Sequence, residues 1–314
     1  MDKPQVLQIG EYEAWDIPPL EERFVLHRLY EAADRAAFLA EVGPLVRAIA
    51  TRGDMGASAA VIAACPQLEI IAVNGVGYDG VDLPSARARW IKVTNTPGVL
   101  DGECADLAVG MMLALARGIV GGDAWTRSGD WARKGDSPLQ RRVWGRRAGI
   151  LGLGRIGLEL GRRLQGFGMQ ISYLARSPKP VSEGWQFIAD PVDLARASDF
   201  LFVTALANAS TRHIVNAQVL AALGQGMLIN ISRAQNVDEA ALLDALEAGR
   251  IGGAALDVFE GEPAINPRFA ALGNVLLQPH AGSATVETRV AMGKLMLDNL
   301  VAHFEGRALL TEVV

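Results

Sequence analysis

Cysteine is nearly absent from this chain, which has only Cys65 and Cys104 among its 314 residues. Neither has the close spacing to other Cys or His residues that zinc sites require, so we expect no metal site and no disulfide framework. So few thiols are typical of a protein of the reducing cytoplasm. The first residues carry early charges and no long apolar core, so they do not resemble a secretory signal peptide, and we expect a cytoplasmic protein.

Long hydrophobic runs and an excess of positive charge are also missing. The longest apolar stretch, residues 107–120, contains Arg117 and is too short for a membrane span, so it predicts a buried helix. The net charge of −5 argues against nucleic acid or an anionic membrane as a partner held by bulk charge. A chain of this length, with 50% hydrophobic and 21% charged residues, is typical of two globular domains.

Glycine, by contrast, is plentiful, and one cluster of glycines predicts a dinucleotide site. A short apolar run, residues 148–151, leads into Gly152-x-Gly154-x-x-Gly157, an amphipathic segment and a second apolar run at 170–174. In this strand–turn–helix–strand context the glycines make a tight turn, let a pyrophosphate approach the backbone and let helix pack on strand. The phosphates are expected at the helix N-terminus. An ordinary strand-to-helix turn is the alternative.

The end of the second apolar run predicts which dinucleotide binds. NAD sites usually carry an acidic residue about 20 residues into such a unit, but residues 168–182 contain none. Arg176, Ser177 and Lys179 occupy this turn instead. Two cations and a hydroxyl suit a 2′-phosphate, which a carboxylate would repel. We therefore predict NADP rather than NAD, with a solvated surface turn as the alternative.

The remaining pattern predicts an α/β chain in two parts. Short apolar runs alternate with helical segments before residue 93, and again from residue 148 onward, where the regular alternation indicates a parallel, doubly wound sheet. A breaker cluster at 95–98 predicts a domain boundary, and nothing after the last helix, about 284–305, could extend the second sheet. Residues 121–147, rich in Gly, Arg and Trp, read as an extended arm that contacts a second subunit or covers a site.

Three polar residues follow predicted strands of the second part: Arg233, Asp257 and His280. Ligands bind beyond the carboxyl ends of strands in open α/β sheets, so their shared position indicates a site. His280, preceded by the rigid Pro279, is predicted to be an acid/base group rather than a structural histidine. Arg233 is always charged and can clamp a carboxylate through two hydrogen bonds; a surface arginine is the alternative.

His280 needs a carboxylate to orient it, and Glu262 and Glu260 compete for that role. A carboxylate within about 4 to 6 Å favours the imidazolium, which keeps a proton available for donation. A solvated loop acid is the alternative for both glutamates. In the first part of the chain, closely spaced glycines at 74–80 follow a strand and form either an anion-binding nest of N–H groups or a plain turn.

Ordered motifs over nearly the whole chain resemble those of the D-isomer-specific 2-hydroxyacid dehydrogenases. They are NGVGYDGVD at 74–82, NTPGVLDGECADLA at 95–108, GLGRIG at 152–157, NISRAQNVDEAAL at 230–242, LDVFEGEP at 256–263 and PHAGSAT at 279–285. The resemblance implies two Rossmann-like, doubly wound α/β domains with parallel sheets. Residues 1–98 and 284–314 would form the substrate domain, and residues 99–283 the inserted dinucleotide domain. It also implies a homodimer joined through the cofactor domains, with Leu139 of the arm reaching the partner's active site.

The resemblance further implies the reaction, which is NADPH-dependent reduction of a small 2-oxo acid, glyoxylate or hydroxypyruvate, to the D-2-hydroxy acid. Arg233 would bind the substrate carboxylate and carbonyl oxygen, His280 would protonate the forming alkoxide, and Glu262 would keep His280 charged. Substrate contacts are implied at the backbone of Val76 and Gly77 and at Ser283. Cofactor contacts are implied at Gly152, Gly154, Arg155, Ile156, Gly157, Arg176, Ser177, Lys179, Cys104, Ala205, Leu206, Ile231, Asp257, His280 and Gly282.

Two positions depart from the family pattern. Ala234 follows the catalytic arginine, where the family commonly has Gly, and Leu206 stands where it commonly has Pro, so the shape of both loops is open. Three alternatives for the function also stay open. They are a reductase of hydroxyphenylpyruvate or another 2-oxo acid, an NAD-linked D-lactate-type enzyme, and a non-catalytic dinucleotide-sensing protein like the transcriptional corepressors that share this fold.

Overall fold

The computed structural model describes residues 3–314, which divide into two compact units, each with a parallel sheet of its own. The first unit comprises residues 3–100 and Ala284–Val314, and the second comprises Asp101–Ser283. The predicted α/β class with two parallel sheets is confirmed.

The strands are β1 (Gln5–Gln8), β2 (Val25–Arg28), β3 (Ala48–Arg52), β4 (Ile70–Asn74), β5 (Lys92–Thr94), β6 (Arg147–Leu151), β7 (Gln170–Leu174), β8 (Gln186–Phe187), β9 (Phe200–Val203), β10 (Met227–Asn230), β11 (Gly253–Leu256) and β12 (Val275–Leu277). The helices are α1 (Ile17–Arg23), α2 (Arg35–Val42), α3 (Ala59–Ala64), α4 (Leu83–Ala88), α5 (Asp101–Ala116), α6 (Ile119–Arg127), α7 (Asp130–Lys134), α8 (Arg155–Gln165), α9 (Pro191–Arg196), α10 (Ala217–Leu223), α11 (Glu239–Glu247) and α12 (Val286–Phe304). Short 3₁₀ helices span Leu29–Glu31, Gly43–Leu45, Ala234–Asn236 and Pro267–Ala271.

The first sheet has the order β2-β1-β3-β4-β5 and is covered on both faces. Helix α12 packs on one face, where Met296 and Leu300 are buried against Ile70 and Ala72 of β4. After α12 the chain returns to β5, where the N–H of Val313 donates to the carbonyl of Val93 and the N–H of Val93 donates to the carbonyl of Val314. The first unit is therefore completed by residues from both parts of the sequence.

The second sheet has the order β12-β11-β10-β9-β6-β7-β8, and every pair of neighbours is parallel. All residues of β9, β10 and β11 are buried, as expected for parallel strands covered on both faces. Strand order reverses between β6 and β9, and such a switch point opens a crevice at the carboxyl edge. The two-residue β8 was too short and too exposed to be predicted from a hydrophobic pattern.

The predicted extended arm at residues 121–147 is partly wrong. Helices α6 and α7 occupy its first part, and only residues 135–146 run without helix. Gly118 and Gly129 precede these helices in the left-handed region, which glycine adopts without a steric cost. Ion pairs one turn apart support both helices, Asp123 with Arg127 and Asp130 with Lys134. A composition rich in glycine therefore concealed two short helices.

The predicted buried helix is α5, which ends at Ala116 before the left-handed Gly118. No single helix among residues 3–314 is long and apolar enough to cross a membrane. Helices α5 and α6 meet that criterion only when taken together, with a bend of 56° between them.

Candidate active site

The glycine loop after β6 is shaped by close contacts on two sides and by open space on the third. Gly152 has a φ of +107°, and a Cβ there would collide with the backbone of Ala205. A Cβ on Gly157 would lie 2.5 Å from the carbonyl oxygen of Gly152. At Gly154 a Cβ would meet nothing within 4 Å, so the space in front of this residue is open to an approaching group. The loop therefore fits a ligand that contacts the backbone.

Helix α8 begins at Arg155 without a side-chain cap. Its first intrahelical bond runs from the N–H of Leu158 to the carbonyl of Gly154 at 2.9 Å, so the N–H groups of Arg155, Ile156 and Gly157 have no partner within the helix. Free N–H groups and the helix dipole together favour an anion. This end of α8 fits the phosphates of a dinucleotide.

The turn after β7 carries the residues that are predicted to select NADP over NAD. Arg176, Ser177 and Lys179 are all exposed, and no carboxylate stands between them. Tyr173, which is buried, holds the turn in place, because its hydroxyl accepts from the N–H of Lys179 at 2.9 Å. A guanidinium, an ammonium and a hydroxyl on one anchored turn fit a 2′-phosphate.

A buried asparagine shapes the turn that carries Arg233. Asn230 ends β10 and is 1% exposed. Its Oδ1 accepts from the N–H of Ser232 at 3.0 Å, and its Nδ2 donates to the carbonyl of Arg233 at 3.1 Å. Asn236, fully buried, donates to the carbonyl of Ala205 at 2.8 Å and links this turn to the loop after β9. Neither asparagine was predicted from the sequence, although Asn230, a polar residue that ends a buried strand, carried a usable signal.

Asp257, at the end of β11, holds the chain beside His280. Its Oδ1 accepts from the N–H of Ala281 at 2.6 Å, and its Oδ2 accepts from the N–H of Gly282 at 2.9 Å. Asp257 is 1% exposed, and burial raises the pKa of its carboxyl, although the two N–H groups and the nearby His280 lower it in part. Asp257 therefore fixes the backbone that follows β12 through two hydrogen bonds.

His280 and Glu262 form a direct pair. The Nδ1 of His280 lies 2.8 Å from the Oε2 of Glu262, and the other carboxylate oxygen accepts from the N–H of Phe259 at 2.7 Å. The competing Glu260 instead directs its backbone N–H to Glu239 at 3.3 Å. His280 has a φ of +54°, in the left-handed region that only a few per cent of residues other than glycine occupy. Such backbone strain is common at functional sites.

Cys104 lies against the same turn. A Cβ on Gly282 would come within 3.2 Å of both the Cys104 sulfur and the Asp257 carboxylate. Burial, and then the charge of Asp257, raise the pKa of the Cys104 thiol to about 12, while the charge of Arg233 lowers it slightly. The thiol thus stays protonated and packs as a small apolar group. The charges of Arg233 and Asp257 thus both act on the Cys104 thiol.

The two departures from the family pattern are accommodated locally. Ala234 begins the 3₁₀ turn Ala234–Asn236 and is not in the left-handed region, so the backbone there does not require glycine. Leu206 is 49% exposed, and its carbonyl accepts from the hydroxyl of Thr211 at 2.7 Å, which closes the loop without a proline.

The remaining predicted contacts are divided between the units. Ile231 is buried after β10, and Ser283 is half-buried after Gly282, both in the second unit. Val76 and Gly77 follow β4 in the first unit, where Asn95 donates to the carbonyl of Val76 at 2.8 Å. Within residues 3–314 the N–H groups of Val76 and Gly77 donate to no other protein group, which fits an anion nest. In this part of the chain no group of three or more His, Cys, Asp or Glu residues is arranged to hold a metal.

Comparison with known proteins agrees on one family. The family model described as "D-isomer specific 2-hydroxyacid dehydrogenase, NAD binding domain" matches residues 109–282. The hydroxyphenylpyruvate reductase of Plectranthus scutellarioides is 45% identical over 296 residues, which cover 94% of each chain.

Two solved structures are similar over nearly their whole length. A 2-hydroxyacid dehydrogenase from Ketogulonicigenium vulgare is 63% identical, with a TM-score of 0.94 over 100% of this chain and 99% of that one. The NADPH-dependent glyoxylate/hydroxypyruvate reductase of Sinorhizobium meliloti, in complex with NADP and malonate, is 44% identical, with a TM-score of 0.94 over 100% and 97% of the two chains.

Proposed function

Because this chain belongs to the D-isomer-specific 2-hydroxyacid dehydrogenase family, we propose that it reduces a small 2-oxo acid to the D-2-hydroxy acid with NADPH. The observation that carries the proposal is the pair formed by His280 and Glu262 at 2.8 Å, on a turn that Asp257 fixes through two N–H groups. An oriented histidine at the same carboxyl edge of the sheet as the dinucleotide loop is an arrangement suited to protonating a carbonyl oxygen during reduction.

The proposed cofactor site uses the glycine loop, the start of α8 and the turn after β7. The free N–H groups of Arg155 and Ile156 would bind the pyrophosphate, and Arg176, Ser177 and Lys179 would bind the 2′-phosphate. The Sinorhizobium meliloti reductase was solved with NADP, which supports this choice of cofactor. When bound, the reduced nicotinamide supplies a hydride.

The chain's own residues supply orientation and a proton. Since Glu262 engages Nδ1 of His280, Nε2 is the atom left to donate a proton to the carbonyl oxygen of the substrate. Glu262 would stabilise the charged imidazolium before that transfer. Arg233 would bind the substrate carboxylate and carbonyl oxygen, where a guanidinium also stabilises the developing negative charge.

For the substrate we propose glyoxylate or hydroxypyruvate. The structural relative from Sinorhizobium meliloti is described as a glyoxylate/hydroxypyruvate reductase, and its complex contains malonate, a small carboxylate. The free N–H groups of Val76 and Gly77, together with Ser283, would bind the substrate carboxylate. Hydroxyphenylpyruvate is the second candidate, since a relative of 45% identity is a hydroxyphenylpyruvate reductase.

We also propose a cytoplasmic homodimer. Five large apolar residues of the arm and its approach are more than half exposed, namely Ile119, Val120, Trp131, Leu139 and Trp144. Clustered apolar exposure of this kind is typical of a protein–protein contact. Leu139 is fully exposed, which fits its proposed insertion beside the partner's active site. Both cysteines are free thiols, in keeping with a reducing compartment.

One panel of steady-state assays tests the activity. The purified protein is given glyoxylate, hydroxypyruvate or hydroxyphenylpyruvate with either NADPH or NADH, and oxidation of the cofactor is followed. We expect the highest kcat/KM with NADPH and one of the two small acids. Preference for hydroxyphenylpyruvate would select the second candidate, and preference for NADH would refute the 2′-phosphate site. Tight NADPH binding without turnover of any 2-oxo acid would refute the proposed reaction.

A further inference from the structure

A concave pocket of about 260 Å³ opens at the N-terminal ends of three adjacent strands in the second sheet. Arg147, Phe200 and Met227, the first residues of β6, β9 and β10, line it. The glycine loop follows the other end of β6, and a strand of five residues spans about 17 Å. Since the cofactor of an open α/β sheet binds beyond the carboxyl ends, this pocket is separate from the proposed NADPH site.

The lining of this arginine pocket is strongly positive. Its cationic residues are Arg141, Arg142, Arg146, Arg147 and Arg196. Asp199 is the only acidic residue among those that line it. The whole chain has a net charge of −5, so the pocket concentrates positive charge against the average of the molecule. Such a concave cluster raises the local concentration of anions.

Two of these arginines are anchored by protein acceptors. Arg147 donates to both carboxylate oxygens of Asp199, at 2.9 and 3.2 Å. These bonds, with a smaller effect from the charge of Arg146, hold the pKa of the Asp199 carboxyl below its usual range, so Asp199 is ionised and bonded to Arg147. Arg141 donates to the backbone carbonyl of Gln225, at the turn before β10. Protein acceptors therefore hold Arg141 and Arg147 at the rear of the pocket.

The rim of the pocket carries charge that the protein leaves available. Arg142 and Arg146 are exposed, and neither side chain makes a hydrogen bond or ion pair with any residue in 3–314. Arg196 pairs with Asp193 on its own exposed helix turn, and surface pairs of this kind are weak. Like charges that line one pocket repel one another, and a multiply charged anion would relieve that repulsion.

We propose that the arginine pocket binds a small, multiply charged phosphate anion, of which inorganic pyrophosphate is the simplest example. Guanidinium groups match phosphate oxygens through paired hydrogen bonds, and several of them favour a ligand with more than one phosphate charge. The volume of about 260 Å³ lies just below the range of drug-sized ligand pockets, so it suits a compact anion rather than a dinucleotide.

Calorimetric titration with pyrophosphate tests the proposal. Saturating NADP⁺ is present throughout, so that the proposed cofactor site is filled. The variant R142Q/R146Q should bind pyrophosphate about tenfold more weakly or worse, because it removes the two unpaired charges. The matched control R35Q/R87Q removes two exposed arginines of the first unit and should bind as the wild type does. Orthophosphate, with less charge, should bind more weakly than pyrophosphate.

Three outcomes would overturn the proposal. Unchanged binding by R142Q/R146Q would show that the anion sits elsewhere. Equal weakening in R35Q/R87Q would show that only overall charge matters. Sedimentation in which R142Q/R146Q alone dissociates, with pyrophosphate affinity unchanged, would assign these arginines to a subunit contact. Weaker binding by R142Q/R146Q, with the control and the sedimentation unchanged, would support it.

Discussion

A buried carboxylate in the first unit gives a sharp prediction on stability. Asp16 is 8% exposed, precedes α1 without capping it, and lies against Gly293 of α12 so closely that a Cβ on this glycine would collide with the carboxylate. Burial, and then the charge of Glu13, raise the pKa of Asp16 from 3.8 to about 6. We therefore expect Asp16→Asn to stabilise the protein at neutral pH.

The sign and size of the effect follow from proton linkage. Below pH 3.8 the Asp16 carboxyl is protonated in both folded and unfolded chains and has no effect on stability. As the pH rises toward 6, the unfolded chain releases its proton first, so the folded state loses stability. The gain from D16N should be about 1 kcal/mol at pH 4.5 and about 3 kcal/mol at pH 8.

Urea unfolding of wild type and D16N across this pH range measures the difference. E13Q should reproduce a smaller part of the gain, because it removes only the second cause of the raised pKa. The matched control E11Q neutralises an exposed glutamate of the same segment that does not contribute to the pKa of Asp16, so it should show no such gain. A gain from D16N that is independent of pH, or a loss at pH 8, would refute the reasoning.

Three further predictions concern the second unit. His280→Asn, in which the new residue tolerates the φ of +54°, should lower kcat by about two to four powers of ten with little change in NADPH affinity; equal loss of both would contradict a proton-donor role. Arg176→Ala should raise the KM for NADPH about tenfold and leave that for NADH unchanged, and an unchanged KM for NADPH would remove the 2′-phosphate assignment. Asp257→Ala leaves the N–H groups of Ala281 and Gly282 without their acceptor, so urea unfolding should show a loss of about 2 kcal/mol, and no loss would show that the turn holds itself.

The sequence predicted the fold and the places where chemistry is concentrated. Alternating apolar runs indicate strands and helices, and parallel strands bring their carboxyl ends to one edge, which is why Arg233, Asp257 and His280 could be selected from the sequence. The motif resemblance to the 2-hydroxyacid dehydrogenases is confirmed by the matching family and structures.

The unpredicted features depend on geometry that a one-dimensional pattern does not contain. The sequence alone does not distinguish Glu260 from Glu262 as the partner of His280. The shape of the turn after β11 is what brings Glu262 to His280. The hydrogen bond of Asn236 to the carbonyl of Ala205 joins two different loops, and the bonds of Asn230 depend on the shape of the turn that follows β10. Helix α6 was missed because Gly121 and Gly122 lower its helix propensity, and α7 was missed because it is only five residues long.

The discontinuous first unit has a consequence for synthesis on the ribosome. The second unit is one uninterrupted stretch, so all of its strands have been translated before α12 begins. The first sheet is translated earlier still, yet Met296 and Leu300, which pack on Ile70 and Ala72, are translated only near the end. During that interval the nascent chain exposes an apolar surface that chaperones can bind. The first unit, whose sheet is translated first, is thus the unit whose core is completed last.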